Sequence, residues 1–191
     1  MPLLRPIPVR FEPVLLEKVW GGDRLVAWGK PVAPGAHIGE SWELADLDAT
    51  SASGAGGAGI CSRVASGAAK GHTLRELMAT WTKDLHASSS AAFPLLIKFL
   101  DAQQDLSVQV HPSPAYAAAH PECKLKTEAW MILAADPGSV IYKGVKHGIT
   151  HADLHRGATR AQQGERLAQR RKATEFAQRL APQGQCLPRQ G

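Results

Sequence analysis

Between Leu106 and Pro112 the chain alternates, with Leu106, Val108 and Val110 separated by Ser107, Gln109 and His111. Successive side chains of a strand point to opposite faces, so this segment presents apolar residues to a core and three polar, ligand-type residues to the other side. A second run, Lys126-Thr127-Glu128-Ala129-Trp130-Met131-Ile132-Leu133, is also rich in strand formers and puts Lys126, Glu128, Trp130 and Ile132 on one face. Side by side, the two strands bring Gln109, His111 and Glu128 to one point. An amide oxygen, an imidazole and a carboxylate with one position open suit a catalytic zinc or related divalent ion. Spacing alone leaves a second reading open, with His111 a satisfied strand-end histidine and Glu128 a solvated edge residue.

At 191 residues the chain is long enough for one well-buried domain and short for two. Its 44% hydrophobic and 20% charged residues are those of an ordinary globular protein. The formal charge of +5 is not spread evenly: residues 1–150 hold 14 Lys+Arg and 14 Asp+Glu, whereas residues 151–191 hold 8 and 3. The basic character therefore belongs to the tail. With Phe176 as its single aromatic, the tail lacks the interleaved rings of a nucleic-acid arm. Cys61, Cys123 and Cys186 are odd in number and far apart, which fits free thiols in a reducing compartment. Pro2, Pro6, Pro8 and Pro13 break the N-terminus, excluding a signal peptide. No apolar run reaches bilayer length. The expectation is a cytoplasmic protein with no membrane partner.

In chain order, Ile7 to Leu16 reads as an edge strand that tolerates proline, and Trp20-Gly21-Gly22 as a turn. Trp42 reads as core. Residues 51–59, Ser-Ala-Ser-Gly-Ala-Gly-Gly-Ala-Gly, form a linker without the Gly-Lys-Ser/Thr ending of a phosphate loop. Thr73 with Glu76 is a capping box opening an amphipathic helix with Leu74, Leu77, Met78 and Trp81 on one stripe. Lys98 stands alone among Leu96, Ile97, Phe99 and Leu100, so its amine reaches solvent or meets an anion. Ser113-Pro114 opens a short helix through Ala119. Asp136-Pro137-Gly138 is a turn, with a further strand over Ser139 to Val145. Strand, tight turn and strand in succession predict an antiparallel jelly roll.

Five blocks stand in order: Glu17-Lys18-Val19-Trp20-Gly21-Gly22, Ile38-Gly39-Glu40-Ser41-Trp42-Glu43, Phe93 to Ala102, Leu106 to Pro112, and Lys126-Thr127-Glu128-Ala129-Trp130. Together they resemble the type I mannose-6-phosphate isomerases (phosphomannose isomerases), most closely the short bacterial branch. The resemblance implies a mainly β, cupin-like jelly roll (double-stranded β-helix) and interconversion of mannose 6-phosphate with fructose 6-phosphate. It implies one zinc ion on Gln109, His111 and Glu128, with Lys126 in an electrostatic or proton-shuttling role. Trp20, Glu40, Lys98 and Ser107 are expected to contact the sugar phosphate.

Past Asp153 or Leu154 the resemblance ends. The family's Pro-Ala-Gly-Thr-x-His turn, whose histidine completes the metal site, and its arginine-bearing segment have no equivalent here. The expectation is a partial catalytic domain over 1–155, an incomplete jelly roll truncated at its C-terminus. A basic Gln/Arg-rich tail over 156–191 follows, with an amphipathic helix traced by Ala173, Phe176, Ala177 and Leu180. His147, His151 and His155 recur every four residues, but Thr150 and Asp153 mark a helix start between them, leaving at most His151 and His155 as replacement ligands. Two alternatives to the enzyme stay open: a non-catalytic metal- or sugar-phosphate-binding cupin module, and a defective fragment with unpaired strand edges.

Overall fold

The first strand, β1, runs Val14–Gly22 and starts later than the sequence implies. Pro8 and Pro13 cannot donate to a ladder. The residues between them make isolated links instead: Phe11 bridges Val64, the Glu12 amide donates to the Arg63 carbonyl at 2.9 Å, and the Arg10 carbonyl accepts from Ala65 at 2.8 Å. In this computed structural model the described residues are 5–47, 59–85, 93–106, 111–121, 125–144, 147–150, 152, 153 and 156. The chain divides into two units, Met1–Val110 with Pro121–Lys124, and His111–His120 with Leu125–Gly191.

In the first unit β1 pairs antiparallel with β2 (Ile38–Leu44). A third antiparallel strand, Ile97–Leu100, gives the sheet its second edge and is numbered β5 in chain order. Two short strands, β3 (Asp46–Leu47) and β4 (Ile60–Cys61), form a separate antiparallel pair. Five strands against a few short helices among the described residues make the fold mainly β, and all the strand pairing is antiparallel, as the jelly-roll expectation requires.

Trp20-Gly21-Gly22 is not the free turn that its glycines imply. Glu17 and Gly22 both face Ile38, so Lys18 to Gly21 are extra residues bulging from β1, and Val19 at the bulge is 93% exposed. The glycine at position 21 has a packing reason: a Cβ there would stand 2.5 Å from the Gly39 amide nitrogen. A Cβ on Gly39 would in turn lie 2.7 Å from Cζ3 of Trp20. The Trp-Gly-Gly and Ile-Gly-Glu blocks thus pack directly against each other, with no room for a Cβ at position 21 or 39.

Helix α1 (Leu74–Thr80) forms as its capping signal predicts. Thr73 Oγ1 accepts from the Glu76 amide at 3.2 Å and Glu76 Oε2 accepts from the Thr73 amide at 2.7 Å. Its buried stripe packs Leu77 and Trp81 with Val64 and Ala69, and Val9 and Phe11 lean on this cluster. The Glu76 carboxyl is held below its ordinary 4.5 by the Thr73 backbone hydrogen bond first and the Thr73 hydroxyl second; weak burial opposes them, and the charges of His72 and Arg63 assist. A depressed acid contributes stability that is present above its unfolded pKa and is lost as pH falls through its folded pKa. Acid titration below 4.5 is therefore expected to speed amide exchange at the start of α1, and Glu76→Gln to remove that pH dependence. An unchanged exchange profile in the variant contradicts the cap assignment.

In the second unit, Ser113 caps α2 (Pro114–Ala119), its Oγ accepting from the Tyr116 amide at 3.1 Å. Asp136 to Ser139 closes a turn with a 3.0 Å backbone bond and Gly138 at φ 87°. The strands expected over 126–133 and 139–145 are not formed among the described residues, which carry no ladder over 125–144. Proline followed by a positive-φ glycine is the type II pattern, whose twist splays the two arms of a hairpin instead of joining them. Thr150 and Asp153 make the expected reciprocal cap, with the Thr150 amide donating to Asp153 Oδ2 at 2.9 Å and the Asp153 amide to Thr150 Oγ1 at 3.2 Å. No helix among the described residues is long and apolar enough to cross a membrane. The linker over 51–58, His151, His155 and the tail beyond Arg156 lie outside the described residues.

Candidate active site

Alternation along β2 sorts its side chains into two polar groups. On one face, Glu40 and Trp42 are two residues apart and Lys98 of β5 is the register partner of Trp42. Glu40 is 7% exposed, and its Oε2 accepts from Trp42 Nε1 at 2.6 Å and from Lys98 Nζ at 3.2 Å. The lone lysine of the apolar strand thus meets an anion inside the fold. Trp42, fully buried, is core as the sequence implies and also an indole donor. An ammonium has three donors, so Lys98 keeps capacity for a further acceptor. On the other face, Glu43 accepts from Lys30 Nζ at 2.6 Å and from Ser41 Oγ at 2.6 Å. Lys30 stands 4.9 Å from the centre of the Phe99 ring, against which Trp28 packs edge-on at 5.2 Å.

The second unit brings together three of the residues singled out from the sequence. His111 Nε2 lies 2.9 Å from Glu128 Oε2, and Lys126 Nζ lies 2.6 Å from Glu128 Oε1. Lys126 and Glu128 thus form an ion pair. Burial pushes the Glu128 carboxyl up, but the hydrogen bond and charge of Lys126, and then His111, more than offset it and leave the group below the ordinary carboxylate range. The histidine is the informative member. Its Nε2 is a buried nitrogen that faces the Glu128 carboxylate at 2.9 Å.

An imidazole nitrogen and a carboxylate oxygen that face each other are a donor set that a divalent cation fits. Lys126 neutralises one carboxylate oxygen and leaves the other with His111. Gln109, the third expected ligand, and Ser107 lie outside the described residues, and among the described residues no group of three His, Cys, Asp or Glu forms a metal cluster. Trp20, half-buried, covers Gly39. A cavity of about 340 Å³, open to solvent, lies beside the β1 bulge between Glu17, Lys18, Val19 and Gly35, Ala36, His37. None of the expected site residues lines it.

The sequence reading did not anticipate that Glu40 holds both Trp42 and Lys98. The signal was present in part, since Glu40 and Trp42 share a strand face by their spacing of two. The Lys98 partner depends on the register between β2 and β5, which spacing does not contain. Asp46 was also missed. Its buried carboxylate accepts from Arg75 Nη2 at 2.5 Å and from the Phe93 amide at 2.9 Å, tying β3 to α1 and to the segment before β5.

Residues 9–128 match the catalytic domain of phosphomannose isomerase type I, which is well over half of the chain. This chain belongs to the type I phosphomannose isomerase family. Mannose-6-phosphate isomerase ManA of Bacillus subtilis is 38% identical over 141 residues, covering 72% of this chain and 40% of that protein. Mannose-6-phosphate isomerase of Streptococcus mutans is 39% identical over 137 residues, again 72% of this chain and 40% of that protein. A crystal structure of the Bacillus subtilis mannose 6-phosphate isomerase aligns with a TM-score of 0.49 at 34% identity, covering 62% of this chain and 34% of that one. This family member thus spans about 40% of the length of the relatives it matches.

Proposed function

We propose that this chain carries the metal-binding part of a mannose-6-phosphate isomerase, an aldose-ketose isomerase that interconverts mannose 6-phosphate and fructose 6-phosphate in the cytoplasm. The observation that carries this reading is the buried Nε2 of His111 facing the Glu128 carboxylate at 2.9 Å, within a chain of this family. His111 and Glu128, with Gln109, would hold the ion, zinc by the chemistry of the donors. When bound, such an ion supplies Lewis-acid stabilisation to the substrate's oxygens.

The remaining work falls to the chain's own groups. Isomerisation removes the proton on C2 of the aldose and delivers one to C1, while a proton passes from the C2 oxygen to the C1 oxygen through an enediol. Negative charge develops on oxygen as the C2 proton leaves, and a fixed cation beside it lowers the barrier. Lys126, held by Glu128, is the proposed cation. Lys98, restrained by Glu40, is the proposed phosphate contact, with Ser107 and Trp20 also assigned to the sugar phosphate.

The test is formation of fructose 6-phosphate from mannose 6-phosphate by the purified chain with added zinc. Turnover is expected to disappear in His111→Ala and to fall by roughly 10²–10³-fold in kcat in Lys126→Met, the scale of removing one oxyanion-stabilising donor. Turnover equal to wild type in His111→Ala contradicts the assignment. Zinc binding without any turnover in the parent chain replaces the enzyme reading with that of a binding module.

A further inference from the structure

We infer that Ser113 is a positioning residue for the proposed cation site: by capping α2 it fixes His111-Pro112-Ser113-Pro114 as a rigid bracket that presents His111 to Glu128. The inference rests on the reading of His111 and Glu128 as cation ligands, and adds to it a residue that acts through His111.

The bracket begins in the backbone. A proline fixes its own φ and bars the residue before it from helical backbone, so Pro112 and Pro114 hold both His111 and Ser113 extended. Ser113 shows this directly, at φ −69° and ψ 158°. The prolines leave ψ of Pro112 and φ of Ser113 open, and the second of these is settled by the cap.

Ser113 is 9% exposed; its Oγ accepts from the Tyr116 amide at 3.1 Å and its carbonyl accepts from the Ala117 amide at 2.9 Å. Pro114, at the first helical position, has no N–H to leave unsatisfied. A helix of six residues is too short to persist on propensity, so the contacts at its ends decide whether it forms. Those contacts are the Ser113 cap and, at the other end, the stack of Tyr116 on His120 at 4.0 Å and 14°.

His111 lies two residues before the cap, in the same compact unit as Glu128, whose Oε2 its Nε2 faces at 2.9 Å. Groups behind metal ligands orient them and set affinity without touching the ion. If the bracket is closed for only part of the time, the apparent affinity falls by the closed fraction.

The test is zinc affinity of the full chain by equilibrium dialysis, with the zinc retained by His111→Ala subtracted as binding elsewhere, alongside hydrogen exchange at the Tyr116 amide. Ser113→Ala is expected to speed that exchange and to raise the zinc dissociation constant by about fivefold, the equivalent of one lost cap. Ser113→Asn keeps a capping acceptor and is expected to restore both to within about twofold of the parent. Pro112→Ala, which frees the His111 backbone and keeps the cap, is expected to weaken zinc binding with Tyr116 exchange unchanged. Faster exchange at Tyr116 with zinc affinity equal to the parent overturns the inference and leaves the cation ligands standing. Unchanged exchange in Ser113→Ala overturns it too, because the cap is then not what holds the helix. A parent chain without His111-dependent zinc binding overturns the ligand reading itself, and this inference with it.

Discussion

Trp42→Ala is expected to destabilise its unit by about 3–5 kcal/mol, the range for removing a large buried aromatic. Trp42 is fully buried at the centre of the three-stranded sheet, between β1 and β5, so no solvent-facing movement can fill the space left behind. The substitution also removes the 2.6 Å indole donor from Glu40, whose carboxylate is nearly buried and would then rely on Lys98 at 3.2 Å. Trp42→Phe separates the two effects, because it retains most of the volume and loses the donor. A hydrogen bond to a charged acceptor contributes about 1.5–3 kcal/mol, so Trp42→Phe should fall clearly short of the alanine variant. Urea unfolding followed by circular dichroism measures both. A loss below about 1 kcal/mol in Trp42→Ala would contradict the core assignment, since exposed substitutions stay in that range.

Asp46→Ala should cost about 2–3 kcal/mol, for a different reason. The Arg75 side chain is 56% exposed, so the ion pair itself contributes little. The Phe93 amide is the larger concern, because Asp46 Oδ2 is its acceptor at 2.9 Å and an unsatisfied backbone donor costs about 1–3 kcal/mol. Asp46→Asn keeps an acceptor for that amide and is expected to recover more than half of the loss. Exchange of the Phe93 amide reports the contact directly. Equal destabilisation by alanine and asparagine would place the effect in the Arg75 pair instead.

The local devices of this chain were legible in its residues, and the long-range ones were legible only in part. The Thr73–Glu76 box, the Ser113 cap and the Asp136-Pro137-Gly138 turn each depend on groups within three residues, and each forms as read. Trp20-Gly21-Gly22 shows where that logic stops. Two glycines resemble a turn, yet their reason is the approach of Gly39, a contact made across the sheet. Likewise the alternation of β2 reveals which residues share a face, but not that β5 sets Lys98 against Glu40.

The strands expected at 126–133 and 139–145 show the opposite error. Their composition is that of strands, but a strand is a relation between two segments, and among the described residues no partner supplies the ladder. His111 and Glu128 nevertheless meet, as the sequence predicts for paired strands, although 125–133 carries no ladder among the described residues.

His111 and Glu128, which face each other at 2.9 Å, are the proposed cation ligands. The direct measurement is zinc bound per chain, by elemental analysis after equilibrium dialysis, for the parent, His111→Ala and Glu128→Gln. Stoichiometric zinc in the parent is expected, with loss in His111→Ala and at least about tenfold weaker binding in Glu128→Gln, the scale on which even outer partners of metal ligands act. Zinc retained at equal affinity by His111→Ala would contradict the account and return His111 to the role of a buried strand-end histidine.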